Sequence, residues 1–154
     1  MRRIMKLGAL ALGLLVPLGA ATAAQAAEPV PFTITEQVNF VTGDFTFTAT
    51  GPLCPSGTFV DQFVGGGGAF QSGLFYHGQT VLKTFTCADS SGTFTILFHP
   101  NLSPATPAGC EEAGPFAVVG GTGAYAGLQG HGDFCVFPVG DRFTETFTGT
   151  FTLR

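Results

Sequence analysis

The sequence predicts an all-β, antiparallel domain of eight strands. Three observations carry that reading: apolar and polar residues alternate with period two almost throughout, Gly and Pro fall between the alternating runs, and no window has a helical period. Phenylalanine and threonine supply most of the alternation. Aromatic and β-branched side chains suit a pleated, half-buried surface, and period two places one set on each face.

The elements follow in order. Phe32 to Phe40 alternates, and so does Phe45 to Thr50, with Thr42-Gly-Asp44 as a hairpin turn between them. Thr58–Val64 is a third strand. Thr80–Cys87 and Thr93–Phe98 are a fourth and fifth, joined by the turn Asp89-Ser-Ser-Gly92. Phe116–Val119 is a short sixth, Leu128–Phe137 a glycine-interrupted seventh, and Phe143–Leu153 a long eighth, reached through Pro138-Val-Gly-Asp141. Two longer connections stand out: Gly65 to Gly78, with four consecutive glycines, and Pro100 to Gly114, with three prolines. None suits a parallel crossover helix, so the strands form an antiparallel meander that closes as a barrel or packs as a sandwich.

The N-terminus reads as a removable leader. Arg2, Arg3 and Lys6 precede an apolar run from Leu7 to Ala20, and Ala24-Gln25-Ala26 is a small-x-small cleavage site before Ala27. The run is shorter than the ~20 residues a spanning helix needs, so a signal peptide over residues 1–26 is the expectation, with secretion and no membrane anchor after cleavage. The remaining residues, 27–154, are one domain's worth. They keep three cations (Lys83, Arg142 and Arg154) against all ten carboxylates, a net charge near −7. That balance excludes phosphate neutralisation on nucleic acid and adhesion to anionic membranes.

Cys54, Cys87, Cys110 and Cys135 make an even set, which in an exported chain reads as two disulfides. Three pairings are open. Cys54–Cys87 with Cys110–Cys135 is favoured, because each pair would join neighbouring strands or their flanking loops. Zinc ligands usually come as closely spaced pairs, which these are not; no metal and no cofactor is expected.

Gly120-Gly-Thr-Gly-Ala-Tyr-Ala-Gly127 invites a phosphate-cradle reading, but it has neither nucleotide-loop spacing, and neither a helix nor a basic residue accompanies it. It reads instead as a structural corner. Gly120, Gly121, Gly123 and Gly127 provide positive φ or close backbone approach, and Tyr125 caps the turn. The stretch from Ala117 to Gly130, followed by a strand, a turn and a final aromatic strand, resembles the corner of the allene oxide cyclase and dirigent superfamily. The likeness is specific over residues 116–153 and rests on strand count and spacing elsewhere. It implies a closed eight-stranded antiparallel β-barrel with an apolar interior, often a homotrimer, whose members cyclise a fatty-acid epoxide or steer coupling of phenolic radicals. It also implies that Glu36 takes the place of the cyclases' first-strand glutamate. No asparagine set accompanies it here, and the four cysteines depart from the plant cyclases.

Strand parity gives the candidate site. Glu36 shares a face with Phe32, Ile34, Val38 and Phe40; Asp61 with Phe59 and Phe63; Lys83 with Val81 and Phe85; Glu145 with Phe143, Phe147 and Phe151. Each is a lone charge in an apolar row. If the rows line a barrel, all four point inward, where buried charges must be paired, neutralised or wet. A structural ion pair, charges at the rim, or rows facing a subunit interface are the structural readings. The catalytic one makes Glu36 or Glu145 a general acid or base with a raised pKa. His77, His99 and His131 lie beside Gly or Pro and read as solvated loop residues, and Ser56, Ser72, Ser90, Ser91 and Ser103 occupy no nucleophile elbow. Asn101-Leu-Ser103 matches a glycosylation sequon. The sequence thus leaves two functions open: a barrel that binds a small apolar ligand or acts through surface contacts, and a cofactor-free isomerase or cyclase of an apolar molecule.

Overall fold

The computed structural model describes residues 28–39, 41–66, 78–100, 109–139 and 142–153. The leader, His77, the sequon and most of both long connections lie outside them. Eight strands follow one another in space as in sequence and close into an antiparallel barrel: β1 Val30–Asn39, β2 Asp44–Thr50, β3 Ser56–Gly66, β4 Gln79–Cys87, β5 Gly92–Phe98, β6 Glu112–Gly123, β7 Leu128–Val139 and β8 Arg142–Leu153. Closure removes the open sheet edges that would otherwise template aggregation. The closing ladder pairs β1 with β8 from Val30↔Phe151 to Asn39↔Arg142.

The β1–β2, β3–β4, β5–β6 and β7–β8 connections leave one end of the barrel, the lower end below; the other three leave the upper end. Inward rows of phenylalanine fill the upper half. Phe85 stacks on Phe94 with centroids 4.6 Å apart, Phe47 meets both edge-on, and Phe32 stacks on Phe151. Threonine takes most of the outward positions of β2 and β8. Burying each Phe is worth roughly 1.5–3 kcal/mol, enough in sum to sustain the fold without helices.

Two disulfides staple it. Cys54–Cys87 ties the β2–β3 connection to the end of β4 at the upper end, and Cys110–Cys135 ties the chain two residues before β6 to β7 at the lower end, with Cα separations of 5.9 and 5.4 Å.

The observed sixth strand is longer than its apolar centre implies. Glu112–Val118 pairs with β7, and Gly120–Gly123 pairs with β5. The glycine corner is therefore partly strand, and the turn proper is Ala124 to Gly127. Gly123 (φ 60°) and Gly127 (φ 80°) bracket it in the left-handed region. Tyr125 is buried there, its hydroxyl 3.3 Å from Ser91 Oγ and its ring edge-on to Phe94.

β3 outruns β2. Their ladder covers only Ser56–Thr58, and from Phe59 to Gly66 β3 pairs with β4 alone among the described residues. Val60 (67%), Phe63 (45%) and Val64 (48%) are exposed there.

Candidate functional site

Register brings the four lone charges together. Glu36 and Glu145 are direct cross-strand partners where β1 meets β8, and Asp61 and Lys83 are partners where β3 meets β4. Parity turns all four side chains inward in the lower half. Lys83 reaches across the lumen: its Nζ donates to Glu36 Oε2 and, at 2.5 Å, to Glu145 Oε2, and lies 3.6 Å from Asp61 Oδ1. The rings of Phe59, Phe98 and Phe147 surround the ammonium, with centroids at 4.3, 5.3 and 5.4 Å. That arrangement suits a cation, since each ring face is electron-rich.

Burial is complete for Glu36, Lys83 and Glu145, while the Asp61 side chain keeps 9% exposure. Asp61 therefore marks the cluster's solvent side, where β3 outruns β2. With every group ionised, one ammonium would face three carboxylates and carry an excess of two negative charges out of water. Burial accordingly raises the Glu36 pKa well above 4.5; Lys83 opposes the shift, and Glu145 and Asp61 add to it. Glu36 Oε1 and Glu145 Oε1 are buried without a hydrogen-bond partner among the described residues. The site thus offers an ammonium, a carboxyl whose burial favours its protonated form, and carboxyl oxygens with no hydrogen-bond partner among the described residues, within a wall of rings.

A fifth inward charge was not singled out from the sequence. Glu112 is buried at the start of β6, opposite Val136, which itself pairs with Glu145. Counting back in twos from Val118 and Phe116 would have found it. The histidines do not converge on the cluster. His99 follows β5, its Nδ1 3.1 Å from Thr80 Oγ1. His131 corrects the loop reading: it is an exposed residue within β7, held in the ladder between two glycines. The one grouping of metal-ligand types among the described residues is Cys54, Cys87 and Asp89, and those two sulfurs are bonded to each other.

These features define a disulfide-stapled, closed antiparallel barrel with an internal ion cluster. No family model, no curated protein and no solved structure matches the chain.

Proposed function

We propose that the protein is a secreted binding barrel of the allene oxide cyclase and dirigent type, holding a small, largely apolar molecule at the Lys83 cluster. One observation carries the reading: Glu36 Oε1 and Glu145 Oε1 are buried, lack a hydrogen-bond partner among the described residues and lie beside an ammonium ringed by phenylalanines. A buried polar atom left unsatisfied costs about 1–3 kcal/mol, which a hydroxyl, carbonyl or N–H of a bound molecule would recover. The rings would take its apolar body. The approach is the lower end beside β3, where Asp61 meets solvent. The leader sequence and the two disulfides support an extracellular setting.

The test is native mass spectrometry of the oxidised protein after exposure to lipophilic extracts of its producer, with NMR of the Phe59, Phe98 and Phe147 rings. A bound mass that moves those ring signals is expected. A barrel that stays empty, with unmoved rings, would sink the reading.

The raised pKa of Glu36 favours a second reading, a cofactor-free isomerase in which Glu36 delivers a proton and Glu145 accepts one. Carboxyl NMR decides it: titration of Glu36 in the ordinary range would remove the acid.

A further inference from the structure

A cavity lies away from the Lys83 cluster, in the barrel wall at the upper end. The β6–β7 ladder stops at Val118↔Gly130. Val119 is then an extra residue in β6, because Ile96 pairs with Val118 and Thr95 with Gly120. After this bulge β6 follows β5 and leaves β7, which continues beside β8. The two strands become the banks of a notch of about 550 Å3, within the range of small-ligand sites.

Its lining is of two kinds. Val118, Leu128 and Phe151 are buried core residues. Gln129, His131, Thr150 and Thr152 add amide, imidazole and hydroxyl groups, and none of the described lining residues is Asp, Glu, Lys or Arg.

Gly120 separates this notch from a mere packing defect. The fold explains the neighbouring glycines. A Cβ on Gly121 would meet Tyr125 O at 2.5 Å, one on Gly130 would strike the Phe151 ring, and Gly123 and Gly127 have positive φ. Gly120 has no positive φ, and a Cβ there would meet nothing within 4 Å. The backbone does not require glycine at this position, and its missing side chain leaves open space at the cavity's lining.

We propose that the notch binds a neutral carbohydrate of one or two sugar rings. A sugar presents uncharged hydroxyls at its edge and C–H groups on its face. The uncharged polar groups match the first, and Val119, Leu128 and Pro29 match the second. The proposal is independent of the function proposed for the Lys83 cluster.

The experiment is an amide-shift NMR titration of the oxidised protein with cellobiose, maltose and chitobiose at millimolar concentration, with sodium glucuronate as the charged comparator. Saturable shifts at Val119, Gly120, Gln129 and Gly130 are expected from at least one neutral disaccharide and not from glucuronate. Gly120→Leu should fill the notch and weaken binding at least tenfold while the spectrum stays folded. Should that variant not fold, the exposed Gln129→Ala should give the same weakening. No saturable shift with any neutral sugar, equal response to glucuronate, shifts confined to the Lys83 cluster, or undiminished binding by the folded variants would each overturn the proposal.

Discussion

Lys83 holds together charges that the barrel interior would otherwise expel. It is fully buried, and Glu36 and Glu145 reach it from the opposite wall. Lys83→Met would keep most of the volume and leave the carboxylates without their cation. Removing one partner of a buried ion pair typically costs 3–5 kcal/mol, so Lys83→Met should lower unfolding stability by about that much in a urea titration at neutral pH. Glu36 behaves oppositely. Its folded pKa lies well above 4.5, so the folded state binds a proton that the unfolded chain releases. Its contribution is full below pH 4.5 and is lost as pH rises through the folded value. Glu36→Gln, which mimics the protonated form, should therefore flatten the decline in stability above pH 4.5, as followed by thermal unfolding across pH; an unchanged slope would show that Glu36 ionises normally. The inward direction of these charges was legible because each interrupts a visible Phe row. Their convergence was not, since parity fixes a face but not the register that sets Glu36 against Glu145. Glu112 stayed hidden because Glu111-Glu112-Ala113-Gly114-Pro115 shows no alternation of its own, so only the parity of Phe116 and Val118, carried back beyond the apolar centre of the strand, points to it.

The corner and the strands beside it show how one residue type serves different purposes. Gly132 and Gly149 face each other across β7 and β8, and a Cβ on Gly132 would meet the Thr148 carbonyl and the Phe116 ring. Gly132→Val should cost about 1–3 kcal/mol through overpacking. Gly120→Ala should be neutral or stabilise by about 0.4–1 kcal/mol, because the native backbone accepts a Cβ and the unfolded chain loses freedom. Denaturant midpoints of the two variants read the contrast directly, and similar losses in both would mean that the wall at Gly120 is as tight as at Gly132. All eight strands were legible from alternation, with ends that differ by a residue or two except in β6. There, Gly120-Gly-Thr-Gly123 carries no apolar signal, yet it pairs with β5, where Gly121 and Gly123 let the backbones approach; Gly120, expected to provide positive φ or close approach, does neither. Where β3 outruns β2 was equally invisible, since it depends on the relative lengths of two hairpins.

For the whole molecule, the disulfides act at opposite ends of a structure already closed by hydrogen bonds. The sequence left three pairings open. The ladders decide among them: Gly57 pairs with Cys87 close to Cys54, and Ala113 pairs with Cys135 close to Cys110. The bridges span sequence separations of 33 and 25 residues, so loop-closure entropy assigns each about 3–4 kcal/mol. Because they lie at opposite ends and share no partner, their effects should add. Replacing Cys54 and Cys87 by Ala, or Cys110 and Cys135, should lower stability by about 3–4 kcal/mol in guanidinium titration. Losing both bridges should remove about twice that, comparable to the 5–15 kcal/mol that typical domains possess in total. The reduced barrel should then be marginal or unfolded, and the aromatic fine structure of its near-ultraviolet circular dichroism should collapse on reduction. A reduced chain that keeps that aromatic fine structure and its denaturation midpoint would mean that the closing β1–β8 ladder and the Phe core hold the barrel without either staple.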